Sequence, residues 1–299
     1  MTRALRPGDP EWPDRLHELG PHRPPAELFA CGRRLRSEVP AVAVVGTRRT
    51  TGAGLQAAAD IARGLAEAGW TVVSGLAVGI DAAAHEAALE VGGTTVAVLG
   101  CGLDVPYPTK NVELKRRIAE RGTIVTEHPT GTPPCPHHFP ERNRIIAGLS
   151  WGIVVVEGSI RSGAMVTARL GLEMNRSIYA VPGSLRNHMA AGPNALIRTS
   201  QAMLVTEVTH VFEDLAPSLS GAAVTPRTST ERRCTDEELG VLRALDDVPL
   251  PLDRVVGSSG LPAGRAAVTL AQLEVRSLVV RSRGGYVVTE AGGRVMRNE

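Results

Sequence analysis

Residues 41–52 read Ala41-Val42-Ala43-Val44-Val45-Gly46-Thr47-Arg48-Arg49-Thr50-Thr51-Gly52. Five apolar residues closed by a glycine make a short, buried strand. Beyond the turn, Leu55, Ala58, Ala62 and Leu65 recur at helical spacing until Gly69 stops them. The stretch is one strand-turn-helix unit.

The same unit repeats outward from it. Strand signals fall at Thr71–Val73, Thr94–Leu99, Thr123–Thr126, Ile153–Val156 and Ser177–Val181. Helix signals fall between them, at Asp81–Val91, Val112–Glu120, Arg142–Leu149 and Ala164–Met174, with a Pro-rich loop from His128 to Pro140 and another loop from Pro182 to Gly192. The strand runs are uniformly apolar rather than alternating, which a sheet covered on both faces requires. Short β-α spacing then predicts a doubly wound, mostly parallel α/β domain over 41–214.

The flanks read differently. Residues 1–40 are rich in Pro and Arg, with Leu16, Leu19, Leu28 and Phe29 as anchors, and are expected to be a short lead-in docking on the core. Residues 215–233 are Pro, Ser, Thr and Arg with little that is large and apolar, as in a linker. In 234–299, helical periodicity at Asp236–Leu245 and Pro262–Ser277 precedes two strands around Gly284-Gly285, which predicts a small winged helix.

Composition excludes several classes. No segment has the 18 apolar residues of a membrane span, and residues 1–10 lack the apolar stretch of a secretory signal. Cys31, Cys101, Cys135 and Cys234 are far apart with no CxxC pair, which fits a reducing cytoplasm. Basic and acidic side chains number 33 and 31, and residues 41–214 hold 15 of each. Bulk charge therefore does not point to nucleic acid; only a local patch can.

In an open doubly wound sheet, ligands bind beyond the carboxyl ends of the strands. Here those ends carry Gly46–Gly52, Ser74–Asp81, Gly100-Cys101-Gly102 and Glu157–Gly163. Glycine lets backbone approach a ligand, and the helix start beyond it offers free N–H groups to an anion. Several such turns along one edge suit a row of phosphates. Arg48, Arg161 and the Arg142-Asn143-Arg144 cluster are expected to add charged hydrogen bonds there.

The rival chemistries fit less well. A dinucleotide fingerprint needs GxGxxG after the first strand and an acid after the second; Gly46 is followed by Thr47-Arg48, and the second strand ends at Ser74. No P-loop string occurs. Asp81 and His85 share a helix face, which suits either an acid-base pair or an acid at a helix start with a packed histidine. The packed reading is preferred, since no nucleophile with a base accompanies them. His128, Cys135, His137 and His138 match no common zinc spacing, so no metal or other cofactor is expected. Trp70 and Trp151 adjoin strands and read as packing, leaving no obvious aromatic platform for bases.

Ordered strings through the central domain resemble the DNA-processing protein A (DprA/Smf) family. They run from Val44-Val45-Gly46-Thr47-Arg48, through Ser74-Gly75-Leu76-Ala77 with Gly79-Ile80-Asp81 and His85, to Tyr107-Pro108 and Asn111. Phe139-Pro140 leads into Arg142–Ser150, then Val156-Glu157, Ser162-Gly163, Thr167, Val181-Pro182-Gly183, Gly192, Asn194, Leu196 and Ile197. Residues 234–293 resemble the winged helix of many members. The resemblance takes in little of the family's usual N-terminal helical domain, most of which is expected to be absent from residues 1–40.

The resemblance implies a Rossmann-like domain that binds single-stranded DNA, protects it, and helps load the RecA recombinase during DNA uptake. It implies a homodimer through the late part of that domain, and no enzymatic activity. Gly46, Thr47 and Arg48 match the family's Gly-Ser-Arg turn, and Gly75 and Gly79 its second turn. Arg161, before Ser162-Gly163, stands where a DNA-contacting Lys is usual. With Arg142, Asn143, Arg144 and Thr167, these are the expected DNA-binding residues. Val78 stands where Arg or Lys is usual, and Ser200-Gln201 where Gly-Ala is usual. The alternative is a nucleotide-binding enzyme or sensor of the phosphoribohydrolase-like group. Its usual Pro-Gly-Gly-x-Gly-Thr string is replaced here by Glu157-Gly158-Ser159 and Ser162-Gly163.

Overall fold

The structure is a computed structural model that describes residues 2–219, 235–245, 249–275, 278–282 and 285–289. The chain divides into two compact units, Met1–Ser229 and Thr230–Glu299.

In the first unit the elements run β1 (Arg3–Leu5), β2 (Leu28–Gly32), β3 (Ala41–Val45), α1 (Gly52–Glu67), β4 (Thr71–Ser74), α2 (Ile80–Glu90), β5 (Thr95–Leu99), α3 (Val112–Arg121) and β6 (Thr123–Thr126). They continue with α4 (His138–Leu149), β7 (Gly152–Val155), α5 (Gly163–Glu173), β8 (Ser177–Ala180), α6 (Ala191–Arg198), β9 (Met203–Leu204) and α7 (Thr209–Leu219). The nine strands form one sheet in the order β1-β2-β6-β5-β4-β3-β7-β8-β9. Every pair from β6 to β9 is parallel, whereas β1–β2 and β2–β6 are antiparallel.

The uniformly apolar strands meet cover on both faces. Val42, Val44, Val72 and Val154 pack on α1 and α2 through Ala58, Ile61, Leu65, Ala84 and Ala88. Ala43, Val45, Val73 and Ile153 pack on the other face against Ile145, Ile146, Ala164 and Ala168 of α4 and α5. The doubly wound, mostly parallel expectation holds.

The first 40 residues do more than dock. Leu16, Leu19 and Leu28 are fully buried in the core, while β2 extends the sheet antiparallel to β6 and β1 adds antiparallel to β2. Both strands are short, and β2 carries Cys31 and Gly32, so period-2 patterning was too weak to announce them. The 3-10 turn Asp14–Glu18 packs against α4, where a Cβ on Gly148 would lie 2.5 Å from Leu19 Cδ2. Each buried leucine there contributes roughly 2 kcal/mol. α4 begins at His138, inside the expected Pro-rich loop, with Pro140 tolerated in its first turn. At the far end α7 runs to Leu219, into the expected linker; residues 220–233 lie outside the described residues.

The second unit contains α8 (Asp236–Arg243), α9 (Leu252–Ser259), α10 (Ala263–Val275) and the antiparallel ribbon β10 (Val279–Ser282) with β11 (Gly285–Val288). Thr235 and Glu238 form a capping box at α8. Leu239, Leu242, Val255, Leu270 and Leu273 make its core. Three helices and a ribbon are the winged-helix plan. α9 went unread in the sequence, because only eight residues separate Pro251 from Gly260. Arg265 pairs with Glu237 at 3.1 Å.

Candidate nucleic-acid interface

β3 has β4 on one side and β7 on the other, and the chain leaves β3 and β7 toward opposite faces of the sheet. Their carboxyl ends flank the crevice where such sheets hold ligands.

A carboxylate of the protein itself sits at that crevice. Glu157 is 6% exposed, and it accepts hydrogen bonds from Thr50 Oγ1 at 2.7 Å, Thr51 N at 2.9 Å, Thr51 Oγ1 at 2.7 Å and Asn187 Nδ2 at 2.8 Å. Thr51 also caps α1, accepting from Gly54 N at 3.0 Å. Burial works to raise the Glu157 pKa, but the Thr51 amide, the two hydroxyls and Asn187 hold it below the ordinary range.

A second internal carboxylate serves α2. Asp81 is buried, accepts from Ala77 N at 3.3 Å, and lies beside the buried Arg142 guanidinium. Arg142 donates to Gly75 O at 2.9 Å and to Val98 O, and its Nε reaches Asn143 Oδ1 at 3.3 Å. Burial lowers the Arg142 pKa to about 10, with Asp81 acting against the fall, so it stays cationic at neutral pH.

These contacts correct the expectation that each turn offers free helix-start amides. At α1 and α2 the positive end already faces Glu157 or Asp81. The start of α5 differs: its first turn has no acidic residue and its N-cap, Ser162, makes no side-chain cap. Ser162 Oγ is buried without a partner, and the neighbouring Arg161 is exposed.

The expected residues therefore separate into groups. Arg48 and Arg161 face solvent. Arg142 and Asn143 are buried beneath the second turn and the α5 start, not on the surface; Asn143 Nδ2 reaches Gly163 O at 3.3 Å. Arg144 pairs with Glu127 at 2.6 Å, with both side chains 18% exposed, so it is no free cation. Thr167 is buried and donates to Gly163 O at 3.1 Å. Gly46, Thr47 and Gly79 lock the first two turns together: a Cβ on Gly46 would lie 2.4 Å from Ile80 Cγ1, and one on Gly79 would lie 2.5 Å from Thr47 O.

A small, open pocket lies at this edge, lined among others by Arg48, Gly75, Val78, Tyr107, Phe139 and Arg142. The Arg48 guanidinium carbon is 5.4 Å from the centre of the Phe139 ring, and the Tyr107 and Phe139 rings are 5.4 Å apart. No carboxylate lines it. No local pattern pairs these two rings, which stand 32 positions apart in the sequence, unlike the strand-adjoining tryptophans. Those do pack: Trp70 lies edge-on to Phe212, and Trp151 lies under Arg15. The signal available was the ring-proline pairs Tyr107-Pro108 and Phe139-Pro140.

The other tempting groups are structural. His85 is fully buried, with Nδ1 2.6 Å from Thr95 Oγ1, and does not engage Asp81. His128 and His138 stack with ring centres 4.0 Å apart. Among the described residues no group of three or more His, Cys, Asp or Glu is placed to hold a metal ion, and no helix is long and apolar enough to cross a membrane.

Comparison with known proteins adds to this geometry. Residues 3–216 match the family model of DNA recombination-mediator protein A, and residues 225–285 match that of the DprA winged helix domain. The chain is 34% identical to Protein Smf of Synechocystis sp., over 94% of this chain and 78% of that protein. The X-ray structure of DNA processing protein A from Streptococcus pneumoniae is similar with a TM-score of 0.67 and 38% identity, covering 71% of this chain and 74% of that one. DNA processing protein A from Helicobacter pylori, studied for its single-stranded DNA binding mode, gives a TM-score of 0.65 at 29% identity, covering 73% of this chain and 97% of that one.

Proposed function

The chain belongs to the DNA recombination-mediator protein A family, whose members include DprA and Smf, and from that premise we propose that it binds single-stranded DNA without regard to sequence. The observation that carries this reading is Arg48 over Phe139 at the mouth of a pocket free of carboxylates. A guanidinium takes a phosphate, and the half-buried Tyr107 and Phe139 rings in the pocket wall take a base, whichever base it is. Arg161 and the uncapped α5 start supply the next phosphate contact along the edge. Val78 in the pocket wall leaves Arg48 and Arg161 to carry most of the affinity.

The bound strand is protected and handed to RecA, and the protein acts as a homodimer without catalysing a reaction. Support for the dimer comes from β9, an edge strand whose Met203 and Leu204 are 41% and 48% exposed. A phosphoribohydrolase-like activity is disfavoured because Glu157 is turned inward onto four donors.

Gel-shift titration of a single strand, its duplex and free nucleotides across salt tests this. The single strand binds best, with log K falling against log salt by about 0.7 per neutralised phosphate. Arg48→Ala and Arg161→Ala each weaken binding and flatten the slope. Equal affinity for all three ligands, or indifference to both substitutions, overturns the reading.

A further inference from the structure

Two loops at the carboxyl ends of β7 and β8 each present an aliphatic side chain to solvent and follow it with an arginine. Ile160 is 61% exposed and Leu185 97%, and Arg161 and Arg186 are exposed beside them. Neither residues 158–163 nor residues 181–192 include an acid.

The loops are held, so these exposures are built in. Asn187 donates to Glu157 at 2.8 Å, Gly158 N to Met189 O at 2.5 Å, and Gly192 N to Gly158 O at 2.9 Å. Asn194 brackets Gly183, accepting from its N–H at 3.1 Å and donating to its carbonyl at 2.9 Å. The same Glu157 carboxylate fixes Thr50 and Thr51, in the turn that bears Arg48.

We infer that the paired loops are a second contact for the bound strand, in which Ile160 and Leu185 lie against base faces and Arg186 takes a phosphate. The inference rests on the single-strand reading and extends it beyond the pocket. A single strand alternates apolar base faces with phosphates. The loops alternate aliphatic and cationic side chains and continue the edge that Arg48 begins. Apolar wedges placed beside basic groups are an established way for proteins to meet stacked bases. The contact is sequence-tolerant, since every base has an apolar face.

The test is fluorescence anisotropy on the full chain and the Ile160→Ser/Leu185→Ser double variant, whose exposed sites leave the melting temperature unchanged. The ligands are oligothymidylates of about 6 and about 20 nucleotides, and a 20-nucleotide strand of abasic sites. The double variant binds the long strand about 5–10-fold more weakly and the short one as the parent does, and the abasic strand shows no difference between the two proteins. Arg186→Gln weakens the long and abasic strands alike. If parent and double variant bind the long strand equally, the second contact falls and the pocket reading stands. The same holds if the variant instead loses self-association in light scattering with its DNA affinity intact. If the parent binds neither oligothymidylate, both readings fall together.

Discussion

Asn187 Nδ2 donates to Glu157 Oε1 at 2.8 Å, joining the loop after β8 to the turn after β7. Thr50 and Thr51 bring the turn after β3 to the same carboxylate, so one buried acid ties three loops at the point where the sheet reverses its winding. Glu157→Ala leaves those donors without a partner, and hydrogen bonds to a buried charge are worth more than neutral ones. The expected loss is about 3 kcal/mol in urea unfolding, with weaker single-strand binding because Arg48 loses its fixed turn. Glu157→Gln recovers part of both, since its amide oxygen still accepts. An alanine variant as stable as the parent would remove Glu157 from this role.

His85 makes stability fall in mild acid. Thr95 Oγ1 donates to Val72 O at 2.9 Å, so His85 Nδ1 donates to Thr95 and Nε2, buried without a partner, bears no proton. Burial, with Arg142 adding to it, lowers its pKa to about 3. The unfolded chain takes up this proton below about pH 6.5, while the fold resists it. Stability is therefore full above that pH and drains as pH drops toward 3, by about 1.4 kcal/mol per pH unit from this group. Urea unfolding at pH 7, 6 and 5 measures the slope. His85→Gln keeps a donor for Thr95 and does not titrate, so its profile is flatter between those values.

The doubly wound core was legible because its strands are uniformly apolar and its helices end at glycines such as Gly69 and Gly122. β1 and β2 were not legible: the five-residue β2 derives its pairing from β6, more than 90 residues away, and the three-residue β1 pairs only with β2, which no local pattern carries. The rim was legible as a place, and its division of labour was not. Arg48 and Arg142 look alike as residues in Gly- and Arg-rich strings, yet one is exposed and the other lies under Gly75. Burial separates them, and burial depends on which helix lies beneath which turn. Glu157 showed itself only as a letter in a family-like string, because its donors come from positions 50, 51 and 187.

Arg48→Met and Arg142→Met accordingly fail in different ways. Arg48 is at the surface, so its loss changes stability by no more than about 0.5 kcal/mol. It lowers single-strand affinity and reduces the salt slope by about 0.7. Loss of Arg142 strands Asp81 without its cation and frees the Gly75 and Val98 carbonyls in the interior, at a cost of about 3–5 kcal/mol. Melting curves paired with salt-dependent anisotropy separate the two. An Arg142 variant of native stability that has lost a phosphate contact would return that side chain to the binding surface.

Gly79 and Gly92 make a matched test of how tightly the two turns are joined. Both have positive φ, +92° and +71°, where an L side chain costs about 1 kcal/mol, and more at Gly79, whose ψ of −128° lies outside the left-handed helical region. At Gly92 a Cβ would meet nothing within 4 Å, so Gly92→Ala pays only that backbone term. At Gly79 a Cβ would lie 2.5 Å from Thr47 O and 3.1 Å from Arg48 Cα, both backbone atoms of the first turn. No rotamer relieves that contact; the turns must part, displacing Arg48 from Phe139. Gly79→Ala is therefore expected to lose about 3 kcal/mol and single-strand affinity with it, whereas Gly92→Ala keeps full affinity. Urea midpoints and anisotropy on both variants decide it: equal stability losses, or a Gly79 variant that binds as well as the parent, would mean that the two turns move independently.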